Sequence, residues 1–393
     1  MSSKPLAGVR VLEVGAYISA PYAGMLLSAL GADVVKIEPL DGEAFRRGIG
    51  NASHYFVQYN AGKRSVAVDL KSPEGVRLIK TLLPQFDVLT ENMRPGKMEK
   101  LGLGVEVCRE INPRLVYASV SGFGSGGPLS DRPAYDTIGQ SYGGFYHMMN
   151  DEGHARLTGT CLADLITGVS ATMGILAALL GRERSREGTG ALVETSLLEA
   201  ISLLTIDAIT QRSETSQDPT RESRHPQAQN FCLNTASGGA VTLHLSGSEK
   251  FWAALTRAIE RPDLFDDPRF RRYSDRVVPE NYRALVAILE EAFATRSRDE
   301  WERRLAEADV PYAPVLSLSE LAAHPQVRWL ELMGASPDGQ TLVRPPWRFD
   351  GQRPQRGEPT AHVGEHTRQV LREILSESEV EALIANGTVA SAG

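Results

Sequence analysis

The chain has 393 residues, of which 42% are hydrophobic and 23% charged, and a net charge of −7. This is enough apolar material for more than one core, so two domains are expected, and the acidic balance argues against a general nucleic-acid or membrane-surface binder. Cys108, Cys161 and Cys232 are isolated and odd in number, which offers neither a disulfide framework nor a metal spacing and fits a reducing cytoplasm.

The N-terminal stretch MSSKPLAGVRVLEVG lacks the basic start, long apolar run and small-residue cleavage site of a signal peptide. Val9 to Val14 is a β-branched apolar run ending at Gly15, APYAGMLLSALG reads as a helix stopped by Gly31, and Asp33 to Glu38 is the next strand. That is a β-α-β unit, which implies a parallel sheet with a right-handed crossover. The pattern recurs with the strand Ser65–Asp69, the helix PEGVRLIKTLLPQ, the strand Phe86–Thr90 and the strand Leu115–Val120. The fold class is therefore α/β, with an open, parallel, doubly wound (Rossmann-like) sheet over residues 1–210 and ligands expected beyond the strand C-termini.

Residues 211–229, QRSETSQDPTRESRHPQAQ, are polar and carry no apolar period, so they read as a linker. A smaller α+β domain follows over 230–325: a strand at Ala240–Leu245, the helices SEKFWAALTRAIE, ENYRALVAILEEAFAT and SRDEWERRLAEAD, then VPYAPVLS. Residues 326–393 return through the Pro- and Gly-rich stretch PPWRFDGQRPQRGEPTAHVGEHT to the helices RQVLREIL and SESEVEALIANG, completing the large domain. So long an open stretch usually wraps over something.

One acid stands at the head of an apolar segment: Leu162-Ala163-Asp164-Leu165-Ile166-Thr167-Gly168, followed by VSATMGILAALLGRE. Burying a bare carboxylate is costly unless it is paired, hydrogen-bonded or used. Asp164 is either a helix N-cap, which suits both its side chain and its charge, or a nucleophilic carboxylate shielded from water. The segment from Ala163 to Gly181 could be mistaken for a membrane span, but its acid, threonines, Ser170 and glycines make it a buried helix of a soluble core.

Other motifs are weaker. Ser121-Gly122-Phe123-Gly124-Ser125-Gly126-Gly127-Pro128 follows a strand, but Pro128 and LSDRPAYD come next rather than the helix that a phosphate loop needs. His362 and His366 are spaced i,i+4, yet Gly364, the Pro-rich context and the lack of a third ligand speak against metal. Lys63, Arg64 and Lys71, then Arg94, Lys97 and Lys100, recur in the loops after the proposed strands, where a phosphate-rich ligand would need them.

Taken together, GVRVLEVGAYISAPYAGMLLSALGADVVKIEP, NAGKRSVAVDLKSPEG, ENMRPGKMEKLGLG, INPRLVYASVSGFGSGGP, AYDTIGQSYGG, LADLITGVSATMGILAALLGRE, VETSLLEAISLL and the terminal GEHT make the chain resemble the class III CoA-transferases from about Gly8 to Gly387. The resemblance implies that Asp164, in its D-x-x-T-G context, is the nucleophile. It implies that Tyr17, Ile18 and Ser19 lie beside the thioester, Val68 and Lys71 around the adenine and phosphates, and Asn92, Met93 and Lys100 at further CoA contacts. Tyr135 and Asp136 match an aromatic–acid pair near the reacting centre. It also implies a CoA thioester as substrate without a tightly bound cofactor, an acyl-CoA donor, a carboxylic acid acceptor, and an interlocked homodimer. Pro39 and Pro133 stand where formyl-CoA transferase carries basic residues that contact CoA, so those contacts are lost or replaced.

Two alternatives stay open. α-Methylacyl-CoA racemases of the same superfamily carry Gly-His-Asp where this chain has Ala134-Tyr135-Asp136; a tyrosine, with a reference pKa of about 10, does not replace that histidine as a base. A catalytically silent acyl-CoA-binding protein is the other, and an intact Asp164 speaks against it.

Overall fold

The computed structural model describes residues 4–46, 53–151, 153–337, 339–356 and 358–392. The chain forms two compact units. One comprises Met1–Tyr146, Arg156–Asp207 and Pro325–Gly393, and the other His147–Ala155 and Ala208–His324.

In the first unit, strands β1 (Arg10–Val14), β2 (Asp33–Glu38), β3 (Arg64–Val68), β4 (Val88–Glu91), β5 (Val116–Ser121) and β6 (Leu192–Ser196) join the short strand Val389–Ala390 in one sheet. The order is Val389–Ala390, β3, β2, β1, β4, β5, β6. All pairs are parallel except the outermost, where Val389 lies antiparallel to Val68. The strand order reverses between β1 and β4, with Val14 level with Glu91, and a crevice opens at such a point beyond the strand C-termini.

Apart from a few buried polar residues toward their ends, the strands are apolar on both faces because both are covered. Val11, Val34, Val88 and Val116 meet Leu27 of helix α1 (Ser19–Ala29), whereas Leu12, Val35, Val66 and Leu89 meet Leu78, Ile79 and Leu82 of helix α2 (Pro73–Leu82). Pro73 opens α2 and the Ser72 hydroxyl accepts the Gly75 N–H at 3.0 Å, a local cap. Two further helices matter for the site: α3 (Asp136–Tyr142) and α4 (Leu162–Arg184). α4 lays Ile175 and Leu179 on the same layer as α1. A Cβ on Gly168 would stand 2.8 Å from the Ser19 carbonyl and 3.0 Å from Tyr22 Cβ, so the two helices approach closely only because that position is glycine. α4 is not the wholly buried helix expected from its composition: Met173 and Leu180, on its other side, are 66% and 51% exposed.

The second unit is a three-stranded antiparallel sheet, β7 (Asn230–Asn234), β8 (Ala240–His244) and β9 (Tyr312–Pro314) in that order, with helices α5 (Glu249–Ala258), α6 (Pro279–Phe293) and α7 (Arg298–Glu307). Trp252, Leu255, Leu285, Leu289 and Trp301 fill its core. Trp301 stacks on Phe293 at 4.3 Å and donates its indole N–H to the Phe293 carbonyl at 2.9 Å.

The stretch 211–229, expected as an irregular linker, is partly helical: Ile206–Thr215 runs into it and His225–Ala228 forms one more turn. Its Gln, Arg and Glu residues are good helix formers without an apolar face, so polarity concealed the helix. Among the described residues the return segment forms no helix or strand between Val343 and Thr367, only an isolated bridge between Phe349 and Gln352. It is fastened to the first unit by Arg356, which donates to the carbonyls of Gln58 at 2.6 Å and Val343 at 2.8 Å.

Beneath the strand ends lies a buried ionic network. Glu13 accepts from Lys36 at 3.0 Å and from Lys63 at 2.7 Å. Lys36 also donates to the Gly15 carbonyl at 2.8 Å, and Lys63 to the carbonyl of Pro21 and to Asn60 Oδ1 at 2.8 and 3.0 Å. Burial pushes the Lys63 pKa down to about 8. Next to it, Glu38 pairs with Arg46 at 2.7 Å and accepts from the Ser65 hydroxyl at 2.7 Å. Lys63 and Arg64 are thereby excluded from the phosphate-binding series in which the sequence placed them. Lys63 is consumed by Glu13, and Arg64 opens β3 at its N-terminal end, paired with Asp33 and, at 2.8 Å, with Glu373.

The network depends on Gly24 in the middle of α1, where a Cβ would lie 1.9 Å from Glu13 Oε2. Helix propensity favours Gly24→Ala by about 1 kcal/mol, whereas overpacking costs about 1–3 kcal/mol or more. Because Glu13 is locked by two lysines, the second effect wins. Urea denaturation should show Gly24→Ala destabilised; equal or greater stability would mean that Glu13 is free to move aside.

Candidate active site

The site forms where β1 and β4 end. After β1 the chain turns through Gly15, Ala16 and Tyr17 into α1, with Tyr17 in the left-handed region at φ 65°. Asn92, just past β4, holds that turn. Its Oδ1 accepts the Ala16 N–H at 3.0 Å, while its Nδ2 donates to the Ala16 carbonyl at 2.8 Å and to Ser19 Oγ at 3.3 Å. Below it, buried Glu91 accepts the Met93 N–H at 2.7 Å, and burial pushes the Glu91 pKa up to about 7.

Two cavities share the wall made by Tyr17, Asn92 and Met93. The larger, about 700 Å³, runs over the ends of β1, β2 and β3 and is lined by Ile37, Leu40, Val68, Leu70, Lys71 and Lys97 among others. The smaller, about 220 Å³, holds Ser19, Arg94, Ser121, Arg132, Tyr135 and Asp164. The Tyr17 ring bridges the two, edge-on to Tyr135 at 5.6 Å and to Phe45 at 5.3 Å.

Asp164 is the third residue of α4, but it does not cap the helix. The N-cap position is Cys161, which makes no side-chain cap bond. The cap comes from another helix: Asp136 Oδ1 accepts the N–H groups of Ala163 at 2.8 Å and of Asp164 at 3.3 Å. The other Asp136 oxygen accepts from Gln140 Nε2 at 2.5 Å, and Gln140 is itself held by the Thr158 hydroxyl at 2.7 Å. Among the described residues the Asp164 carboxylate makes no hydrogen bond and no ion pair. Burial, with the neighbouring Asp136 carboxylate second, pushes its pKa up to about 7. A half-buried, unpaired carboxylate in a small cavity is a poorly solvated and therefore reactive group.

Of the residues selected from the sequence, Tyr17, Asn92 and Met93 line both cavities, Val68 and Lys71 the larger one, and Ser19, Tyr135 and Asp164 the smaller. Asp136 stands behind Asp164 as the cap. Ile18 is buried and Lys100 exposed, and neither lines either cavity. Lys97, three residues earlier, lines the larger cavity in place of Lys100. Sequence reasoning did not find the Gln140 clamp, although its i,i+4 spacing from Asp136 on a short helix was a usable signal. Lys36, a charge inside an otherwise apolar parallel strand, was another. Among the described residues no group of three or more His, Cys, Asp or Glu could hold a metal ion.

A Rossmann-ordered sheet places an unpaired aspartate carboxylate beside a cavity of about 700 Å³, and comparison with known proteins gives the class. The family model described as CoA-transferase family III matches residues 6–367. The chain is 31% identical to succinyl-CoA:glutarate CoA-transferase of Mus musculus, over 99% of this chain and 91% of that protein. It is 36% identical to acetyl-CoA:oxalate CoA-transferase of Acetobacter aceti, over 82% and 83%. A crystal structure of a CaiB/BaiF family protein from Brucella suis superposes with a TM-score of 0.85 at 29% identity, covering 95% of this chain and all of that one. The chain belongs to CoA-transferase family III and is an enzyme of that class.

The pH dependence follows from Asp164. If Asp164 reacts as its carboxylate, kcat/KM should rise with pH through about 7 and level off above it. Asp136→Asn keeps a capping oxygen, since Asn caps as well as Asp, but removes the like charge. The rising limb should then move to lower pH, by only part of the full shift because burial is the larger cause. A limb that stays in place would show that Asp136 does not act on Asp164.

Proposed function

We propose that this enzyme moves CoA from an acyl-CoA donor to a free carboxylic acid, with Asp164 as covalent nucleophile. The observation that carries the reading is the Asp164 carboxylate, unpaired in a small cavity that shares a wall with one large enough for a long thioester. The names of the relatives, succinyl-CoA:glutarate and acetyl-CoA:oxalate CoA-transferase, support a carboxylic acid on each side of the exchange.

In this reading an Asp164 oxygen attacks the donor thioester carbon. The C–S bond breaks, giving a mixed anhydride and CoA thiolate. The thiolate then attacks the Asp164 side-chain carbonyl, which frees the donor acid as its carboxylate and leaves an aspartyl-CoA thioester. The acceptor carboxylate reverses both steps and restores Asp164. No proton is consumed and no ATP is needed, because one thioester replaces another. Each step splits a difficult acyl exchange into easier ones, and the anhydride survives only where water is kept out. Tyr17, Asn92 and Met93 at the shared wall, with Ser19 in the smaller cavity, surround the thioester, while Val68, Lys71 and Lys97 take the nucleotide and phosphates.

Transfer is measured by mass detection of new thioesters from a panel of acyl-CoA donors and free acids. Asp164→Asn should lower it by about a thousandfold or more while keeping the fold. Near wild-type transfer in that variant would overturn the mechanism.

The reading includes a homodimer. Met173 and Leu180 on α4, with Leu203 and Leu204 further on, are large apolar side chains left exposed on a single chain, and a second subunit would cover them. Sedimentation across a dilution series should show a dimer down to nanomolar concentration; a compact, active monomer there would remove this part.

A further inference from the structure

Ser19 is the first residue of α1 and lines the smaller cavity together with Asp164, yet it is only 5% exposed. Its hydroxyl accepts from Asn92 Nδ2 at 3.3 Å, and among the described residues it donates to nothing. A serine in a helix commonly donates to the carbonyl four residues back. For Ser19 that residue is Gly15, whose carbonyl instead accepts from Lys36 at 2.8 Å. Asn92 cannot swing away, because two further bonds tie it to Ala16. Its amide occupies one lone pair of Ser19 Oγ and leaves the hydroxyl proton turned away from Asn92. Gly168 brings Ser19 to the nucleophile. It lies four residues after Asp164, on the same face of α4, and a Cβ there would stand 2.8 Å from the Ser19 carbonyl. The backbone N–H groups of Ser19 and Ala20 also lack an acceptor among the described residues, and Pro21 has no N–H, so the start of α1 is electropositive.

We infer that Ser19 is a second catalytic residue, whose hydroxyl donates to the acyl oxygen of the thioester while Asp164 attacks the acyl carbon. The inference rests on the CoA-transfer reading above. When the Asp164 oxygen bonds to that carbon, the carbonyl electron pair moves onto the acyl oxygen. The charge stays there until the pair returns and the C–S bond breaks. Ser19 keeps its proton throughout, so nothing further has to be supplied or removed. A hydroxyl that already accepts a hydrogen bond is polarised toward stronger donation. A buried, oriented donor also needs no rearrangement as the charge develops. Two other hydroxyls of this cavity are placed less well. Tyr135 is 58% exposed, and Ser121 is partly exposed and engaged by the Gly124 N–H at 2.9 Å. Because transfer ends by reversing its first step, the same hydroxyl serves the product thioester.

The test separates chemistry from binding, using the purified full chain and the best donor–acceptor pair from the panel above. Ser19→Ala should lower kcat by about a hundredfold, the scale of one donor to a developing oxyanion. Trapping of the Asp164 acyl group by hydroxylamine should slow in parallel. Affinity for S-ethyl-CoA, a thioether with the nucleotide, pantetheine and sulfur but no carbonyl, should be unchanged by calorimetry. Ser19→Cys keeps the side-chain volume but offers a weak donor, and should recover only part of kcat. Circular dichroism checks that both variants are folded. An unchanged kcat in Ser19→Ala would overturn the inference. So would a loss of S-ethyl-CoA affinity as large as the loss of kcat/KM, which would make Ser19 a CoA contact. Failure to trap Asp164 in the wild type with any donor would instead sink the CoA-transfer reading, and this inference with it.

Discussion

The active site depends on one hydrogen-bonded carboxylate, that of Asp136, at the N-terminus of another helix. A helix start leaves backbone N–H groups without partners, and something must accept from them. Here Asp136 reaches across from α3 to the N–H groups of Ala163 and Asp164, with its second oxygen held by Gln140. An N-cap of this kind is worth about 0.5–2 kcal/mol. Its larger effect is on Asp164, which has no capping role and is left beside a second negative charge. Capping the helix and placing a like charge beside Asp164 are therefore done by the same residue.

The rest of the site is arranged around the reversal in strand order. Asn92 ties the turn after β1 to the end of β4, and Lys36 holds the Gly15 carbonyl from below while bound to Glu13. Buried ion pairs contribute little net stability, because desolvation offsets most of their attraction, but breaking one by removing a partner is costly. That asymmetry suits a site whose walls must not shift. The loops bordering the larger cavity are pinned through Lys36, Glu38 and Arg46 as well as through Leu70, Met93 and Leu101, which pack on the core.

Strands β1 to β5 and their parallel direction were legible because they are β-branched apolar runs in β-α-β succession, whereas β6 (Leu192–Ser196) and the short Val389–Ala390 strand were not read as strands. Asp164 was legible as a candidate because an acid at the head of an apolar helix needs a reason. Which reason applied was not legible, since the capping partner lies 28 residues away in sequence. Lys63 and Arg64 misled for a related cause: a basic residue between two strands can face a ligand, a buried acid or the far end of the sheet, and only the three-dimensional neighbours, Glu13 and Asp33, decide. Lys97 and Lys100 differ by less than one helical turn, so spacing alone did not tell which of them meets the cavity. The exposed side of α4 was hidden as well, because a helix that is apolar on both sides reads the same whether or not its own chain covers both.

The central claim is that the Asp164 carboxylate bonds covalently to the acyl group and then to CoA. The most direct measurement is trapping: incubation with an acyl-CoA donor and hydroxylamine, followed by peptide mass spectrometry. The account predicts one hydroxamate, on the peptide containing Asp164, dependent on acyl-CoA and absent from Asp164→Asn. Full transfer activity with no modification at Asp164, or a hydroxamate on a different acid, would contradict it.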